Sequence, residues 1–307
     1  MNLEVKNGKK NNMGIEKPTN NKAEQKRTPE EEFFERLLEK IGKQSESLRK
    51  MGLPIGPNLR INPRDYSDVY SKEKIESDLI ATEGVMEKIH EKKLSLKEIE
   101  KEKLKTDGAK LEILVSLLLN KFFEEYSKGR FVAVGTSDYD DLKNGLDTVI
   151  FDTLTGRIIC AIDEVADNEG TGRRIEEKIK KFTEKNELGG RKLEYGLDVE
   201  NGKIRKTKRE NIPIVLLSLK SKEIKIGFER MLFEKDEKKR NEMAKGFFNY
   251  FIKAIGEQIE GLERDKYAMR NPFLKQDLEN FKKTMDELAP EEDEFISGKK
   301  KKKRGGN

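Results

Sequence analysis

Nine acids crowd the interval from Asp138 to Glu169: Asp138, Asp140, Asp141, Asp147, Asp152, Asp163, Glu164, Asp167 and Glu169, set against Lys143 and Arg157. A local charge of −7 repels itself unless something neutralises it. Carboxylates at this density suit a hard divalent cation, because Mg2+ takes oxygen ligands and needs only one or two protein carboxylates beside water and phosphate. Solvated loop ends are the plainer account of the same residues unless the fold brings the acids together.

Two strands are expected here, residues 145–152 and 157–165, joined by Thr153, Leu154, Thr155 and Gly156. A four-residue turn ending in glycine fits a hairpin whose last loop residue is left-handed. If Asp152 pairs with Arg157 across that turn, Asp147 lies opposite Ile162 and shares a face with Glu164. A bulge or a different loop length moves the pairing by one residue and brings Asp163 to the face of Asp147 instead. Either register leaves two carboxylates close together.

The surrounding elements must hold that hairpin. Residues 107–127 carry Leu111, Leu114, Val115, Leu118, Leu119, Phe122 and Phe123 at helical spacing, with Glu112 beside the stripe. Residues 130–135 (RFVAVG) form a short buried strand. Ile175, Ile179 and Phe182 give helical period to 173–187, with Arg174, Lys178 and Lys181 along one flank. An outer hairpin turning at Asn201-Gly202 occupies 191–210, and IPIVLLSL, residues 212–219, is another buried strand.

Helices flank this core of residues 106–233. On the N-terminal side, an extension over 28–105 opens with a capping box, Thr28-Pro29-Glu30-Glu31, followed by Phe34, Leu37, Leu38 and Ile41 on one face. Residues 52–66, with three prolines, read as an extended connector. A second helix carries Ile75, Leu79, Met86 and Ile89 and closes near His90, where a solvated helix end is the expected role; a short charged helix follows to Lys105. On the C-terminal side, 234–290 is helical, notably 236–265 and 273–288. Residues 1–27 and 291–307 hold too little apolar surface to offset chain entropy and are expected to be disordered tails.

Composition narrows the class. A chain of 307 residues can bury one good core. Cys160 is its one cysteine, so an intramolecular disulfide and a cysteine-rich zinc site are excluded, which favours a reducing, cytoplasmic setting. No apolar run approaches the roughly 20 residues needed to span a bilayer, and no membrane partner is expected. The net charge of +5 sits in the tails: the run Lys299–Arg304 and residues 1–30 together outweigh it, leaving about −4 for residues 31–298. Within that acidic body, residues 199–225 carry eight Lys or Arg against three Glu and could form a basic wall beside the acidic pocket. A calcium loop at Asp140–Gly145 fails because its third position is Leu142 and its twelfth is Phe151. Gly170-Thr171-Gly172-Arg173-Arg174, before a helix, offers backbone N–H groups to a phosphate, with an ordinary turn as the simpler account.

The order helix with an acid, three antiparallel strands, helix, strand over residues 107–219 resembles the PD-(D/E)XK, or restriction-endonuclease-like, nuclease superfamily. The resemblance rests on Glu112, on GLDTVIFD for the first motif strand and on ICAIDEV for the second. It implies an α/β fold with a restriction-endonuclease-like core and added N- and C-terminal helices. It also implies Mg2+ (or Mn2+)-dependent phosphodiester cleavage in DNA, or less readily RNA. Asp147 and either Asp163 or Glu164 would hold the metal, with Glu112 as a supporting acid. The family's lysine, which orients water or steadies the reacting phosphate, is absent: Val165 or Ala166 stands in its place. In such families the lysine can come from the following helix, which makes Lys178 the substitute, with Lys143 the other candidate. A chain that kept the fold and lost the lysine would instead be a non-catalytic nucleic-acid-binding or scaffolding protein.

Overall fold

A computed structural model describes residues 28–90, 105–167 and 172–264, with isolated positions at 275, 279, 282 and 283. The two expected tails, the charged helix ending at Lys105 and the Gly170-Thr171 turn lie outside the described residues or nearly so, as does most of the helix expected at 273–288. The side chains of Met86, Ile89, His90 and Arg174 lie outside them as well.

The described residues form seven α-helices, a mixed four-stranded sheet and a separate two-stranded hairpin. Helix α1 (Pro29–Lys50) starts at the expected capping box: Glu31 N–H donates to Thr28 Oγ1 at 3.2 Å, and Thr28 N–H donates back to Glu31 Oε2 at 2.8 Å. Its apolar face is narrower than expected, because Leu37 and Ile41 are buried while Leu38 is 39% exposed. Helix α2 (Lys72–His90) follows, then α3 (Asp107–Ser127), whose broad apolar stripe packs on the sheet.

Strands β1 (Phe131–Gly135), β2 (Thr148–Asp152), β3 (Ile158–Asp167) and β6 (Ile214–Lys220) are ordered β1-β2-β3-β6, with β3 and β6 parallel and the other pairs antiparallel. Buried on both faces, they read as nearly continuous apolar runs. A short helix unforeseen in the sequence, α4 (Asp138–Asn144), sits between β1 and β2. Helix α5 (Gly172–Glu187) leads to the hairpin β4 (Arg191–Glu200) and β5 (Lys203–Ile212), which turns at Asn201-Gly202 as expected. Helices α6 (Ser221–Phe233) and α7 (Glu237–Arg264) pack against α3. One hydrophobic core runs from Leu37 through the sheet to Leu262. No described helix is long and apolar enough to cross a membrane.

Both sheet edges are closed by side chains. An unpaired edge is a template for association, and here amides take the partner's place. On β1, Asn120 bonds both Ala133 N–H (2.8 Å) and Ala133 C=O (2.7 Å). On β6, Asn186 does the same for Ile214 (both 2.9 Å), Gln258 for Leu216 (both 2.8 Å), and Tyr250 donates to Ser218 O. The end of β1 is covered by main chain: Ile61 N–H donates to Gly135 O at 2.8 Å and Gly135 N–H to Leu59 O at 3.1 Å. A Cβ on Gly135 would lie 2.9 Å from Arg60 Cγ, so only glycine admits this approach. The connector between α1 and α2 is thus an added rung of the sheet, and it carries Arg60 to the acids.

Candidate active site

The strand register combines both sequence readings. Asp152 N–H donates to Arg157 O at 2.9 Å across the turn, as the first reading requires. A bulge at Ile159 then shifts the ladder, so that Ile150 pairs with Cys160 and Thr148 with Ile162. Asp147 stands just ahead of the first ladder pair. Its N–H reaches Ile162 O at 3.2 Å, and its Oδ2 accepts the Glu164 N–H at 2.9 Å. The shifted pairing sets Asp147 opposite Asp163, as the second reading requires, but its carboxylate turns to the Glu164 main chain. The two acids of β3, adjacent in sequence, fall on opposite faces of the strand.

On one face, Asp163 is 7% exposed and receives the Lys178 ammonium of α5 at 2.8 and 3.0 Å. On the other, Glu164 is 6% exposed, and both its carboxylate oxygens are buried with no hydrogen-bond partner. The Thr148 hydroxyl lies close enough to ease the charge on Glu164 but falls short of hydrogen-bond geometry. Burial, then the charge of Glu112, pushes the Glu164 carboxyl well above the usual range. Burial, then Glu112 and Glu164, does the same to Asp147, although part of Asp147 still meets solvent. Neither Asp147 nor Glu164 has an ion-pair partner among the described residues.

Arg60 is the residue that sequence reasoning missed. Its guanidinium, 14% exposed, reaches Asp141 at 2.6 Å, Glu112 at 3.0 Å and Asp138 at 3.4 Å, while Nε donates to Thr136 O at 3.0 Å. Burial works against its charge, but Asp141, Asp138 and Glu112 outweigh burial and hold it firmly protonated. No local signal marks Arg60, because its acidic partners lie 52 to 81 residues away in the chain.

The remaining acids sort by environment. Asp140 is buried and structural: Ser137 Oγ, Asn144 Nδ2 and the N–H groups of Glu194 and Tyr195 all donate to it, which ties the β4–β5 hairpin to α4. Asp152 is held by Arg130 and caps the Thr153–Gly156 turn through Leu154 N–H at 2.9 Å. Lys143 is exposed at the end of α4 and makes no ion pair among the described residues.

The expected basic wall is largely neutralised. On the hairpin, Arg205 pairs with Glu200, Lys206 with Asp68, Lys208 with Glu210 and Arg209 with Asp198, at 2.6–3.0 Å. Counting charges along the strand missed acids brought in by strand pairing and by the segment before α2.

Glu112, Asp147 and Glu164 thus form an electrostatically linked acid group, with Arg60 behind it and the Asp163–Lys178 pair on the opposite face of β3. Among the described residues, no three His, Cys, Asp or Glu side chains stand close enough to enclose a cation as they lie. Comparisons with protein families, curated proteins and solved structures find no match to this chain.

Proposed function

We propose that the chain is a metal-dependent nuclease with a restriction-endonuclease-like core, hydrolysing phosphodiester bonds in DNA or, less readily, RNA. The observation that carries this reading is Glu164: a carboxylate with both oxygens buried and unpartnered, beside a second acid held close by its own main-chain N–H. Two buried acids with raised proton affinity can be relieved by protons or by a divalent cation, and Mg2+ or Mn2+ needs only one or two protein carboxylates. Asp147 and Glu164 would hold the metal, with Glu112 in support.

When bound, the cation supplies Lewis-acid stabilisation of charge on the phosphodiester and lowers the pKa of water. The chain's own part is to orient. Arg60 fixes Glu112, and the Glu164 N–H fixes Asp147. On the other face, Asp163 holds Lys178, the lysine that would have to swing toward the acid group to take the place of the absent motif residue. A buried, unpaired Cys160 suits a cytoplasmic setting.

A second reading is favoured by one feature: Lys178 is bound by both oxygens of Asp163, and Val165 is buried where the motif lysine would stand. On that reading the chain binds nucleic acid without cutting it. Mn2+ titration followed by calorimetry, with cleavage of plasmid DNA and of RNA in Mg2+ or Mn2+, separates the two. The nuclease reading expects Mn2+ binding and cleavage, both lost in Asp147→Asn and Glu164→Gln. Mn2+ binding without cleavage supports the binding protein, and absence of Mn2+ binding removes the metal site.

A further inference from the structure

Four cations of β5, Arg205, Lys206, Lys208 and Arg209, are matched by acids; those at the end of α5 are not. Lys178, Lys181 and Lys185 follow one another at spacings of three and four, on one flank of the helix. Lys178 is held by Asp163, but Lys181 and Lys185 make no ion pair among the described residues, and neither does Arg191 at the start of β4.

A tight turn brings Arg191 back beside Lys185. Gly190 N–H donates to Lys185 O at 2.9 Å, and Gly189 N–H to Asn186 O at 3.0 Å. Gly190 has φ +86°, and a Cβ there would lie 2.5 Å from Ile212 O, so the turn is specific to glycine. The cations are close enough to oppose one another: burial first, then Arg191 and Lys181, lowers the proton affinity of Lys185. Asp163 is the acid that partly relieves Arg191. The helix C-terminus accounts for Lys185 on its own. It does not account for Arg191, whose Nε is buried without a partner. The guanidinium lies near the C-terminal cap of α4, its Nη2 3.8 Å from where a Cβ on Gly145 would stand, and Asp163 is the acid that acts on it.

We propose that Lys181, Lys185 and Arg191 form a phosphate seat that holds the backbone of a DNA strand beside the Asp163–Lys178 pair. The inference rests on the nuclease-like reading and deepens it by naming where the substrate's backbone is gripped. Guanidinium groups bind phosphate through two parallel N–H bonds, which the terminal nitrogens of Arg191 would supply. A bound phosphate would also remove the mutual repulsion of three cations.

The test is fluorescence anisotropy with short labelled DNA, single-stranded and duplex, in EDTA across a salt series. For wild type, affinity falls steeply with salt. In Lys181→Gln/Lys185→Gln/Arg191→Gln, binding should weaken at least tenfold at low salt, and the slope of log affinity against log salt should shrink by about 2–3, the count of lost phosphate contacts. Arg191→Lys, which keeps the charge and removes the fork, should fall between the two. Equal affinity and slope in wild type and a folded triple variant overturns the seat, as does wild type that binds neither DNA. Mn2+ binding, measured without DNA, reads the acid cluster separately: its absence defeats the metal site while a weakened triple variant still upholds the seat.

Discussion

Asp163 and Glu164 are neighbours on one strand and live in opposite electrostatic worlds. Strand alternation sends Asp163 toward α5, where Lys178 meets both of its oxygens. It sends Glu164 toward α3, where the nearest strong influence is another acid, Glu112. The first is a completed ion pair of the kind that stabilises a fold. The second is a burial cost that Thr148 and Arg60 offset only in part. The difference teaches that the density of acids in the sequence does not show which carboxylate the fold leaves without a partner; strand alternation decides that.

The comparison is most severely broken by removing the guanidinium behind the Glu164 face. Arg60→Ala leaves Glu112, Asp138 and Asp141 around a lost cation and should cost about 3–5 kcal/mol, as for breaking other buried pairs. Urea denaturation at neutral pH measures it. Because Arg60 also eases the charge on Glu164, the loss should shrink at acid pH, where carboxyls are protonated. A loss below about 1 kcal/mol, within the range of an exposed pair, would mean that the Glu164 face does not depend on this counter-charge.

Glu164→Gln asks the same question from the other side. A carboxyl raised in the folded state binds its proton more tightly there than in the unfolded chain. Its contribution is therefore fully present below the ordinary 4.5 of a glutamate and is lost as pH rises from there through the raised folded value. Each unit of elevation corresponds to about 1.4 kcal/mol. In metal-free buffer the Gln variant should match wild type near pH 4 and be more stable than wild type at pH 8, by chemical denaturation at both. A gap that is constant with pH, or of opposite sign, would show that Glu164 is not a buried, proton-hungry acid. Added Mn2+ should erase the gap by stabilising wild type alone.

On the Asp163 face the expected effect is smaller. Lys178→Met keeps the stem and removes the ammonium, leaving Asp163 buried without its partner. About 1–3 kcal/mol of stability should be lost, the cost of an unsatisfied buried group. Metal-free stability reports the pair, and Mn2+ affinity should change little because the Asp163 carboxylate is turned to α5 rather than to Glu164. A strong drop in Mn2+ affinity would place the cation on the Asp163 face instead.

How much of this was legible in sequence follows from the range of each interaction. Helix α3 and strands β2 and β3 were readable because their apolar residues repeat over a local window, and Lys178 because it sits on a flank of the helix that follows the motif strand. Helix α4 was not, since its identity lies in its caps, Ser137 and Gly145, and in the buried Asp140 rather than in an apolar period. Arg60 was read as part of a passive connector because its partners come from elements far along the chain. The neutralised hairpin failed the sequence reading for the same reason: composition records sign, and pairing decides whether a charge is free. The amides Asn120, Asn186 and Gln258 gave no hint that they close the sheet edges, a role visible only once the strands they serve are placed.

The finest break in the comparison concerns Thr148, whose buried hydroxyl stands beside Glu164 without hydrogen-bond geometry. Thr148→Val keeps the β-branched shape that suits β2 and deletes that hydroxyl. If Glu164 is truly unpartnered, removing an orphaned hydroxyl is close to neutral, and stability at pH 4 should change by less than about 1 kcal/mol. The same hydroxyl eases the carboxylate charge, so the fall in stability between pH 4 and pH 8 should become steeper than in wild type. A loss of about 1–3 kcal/mol at both pH values would mean instead that Thr148 makes a full hydrogen bond to Glu164. Then Glu164, like Asp163, would already be satisfied by the fold, and the asymmetry that points to a cation would disappear.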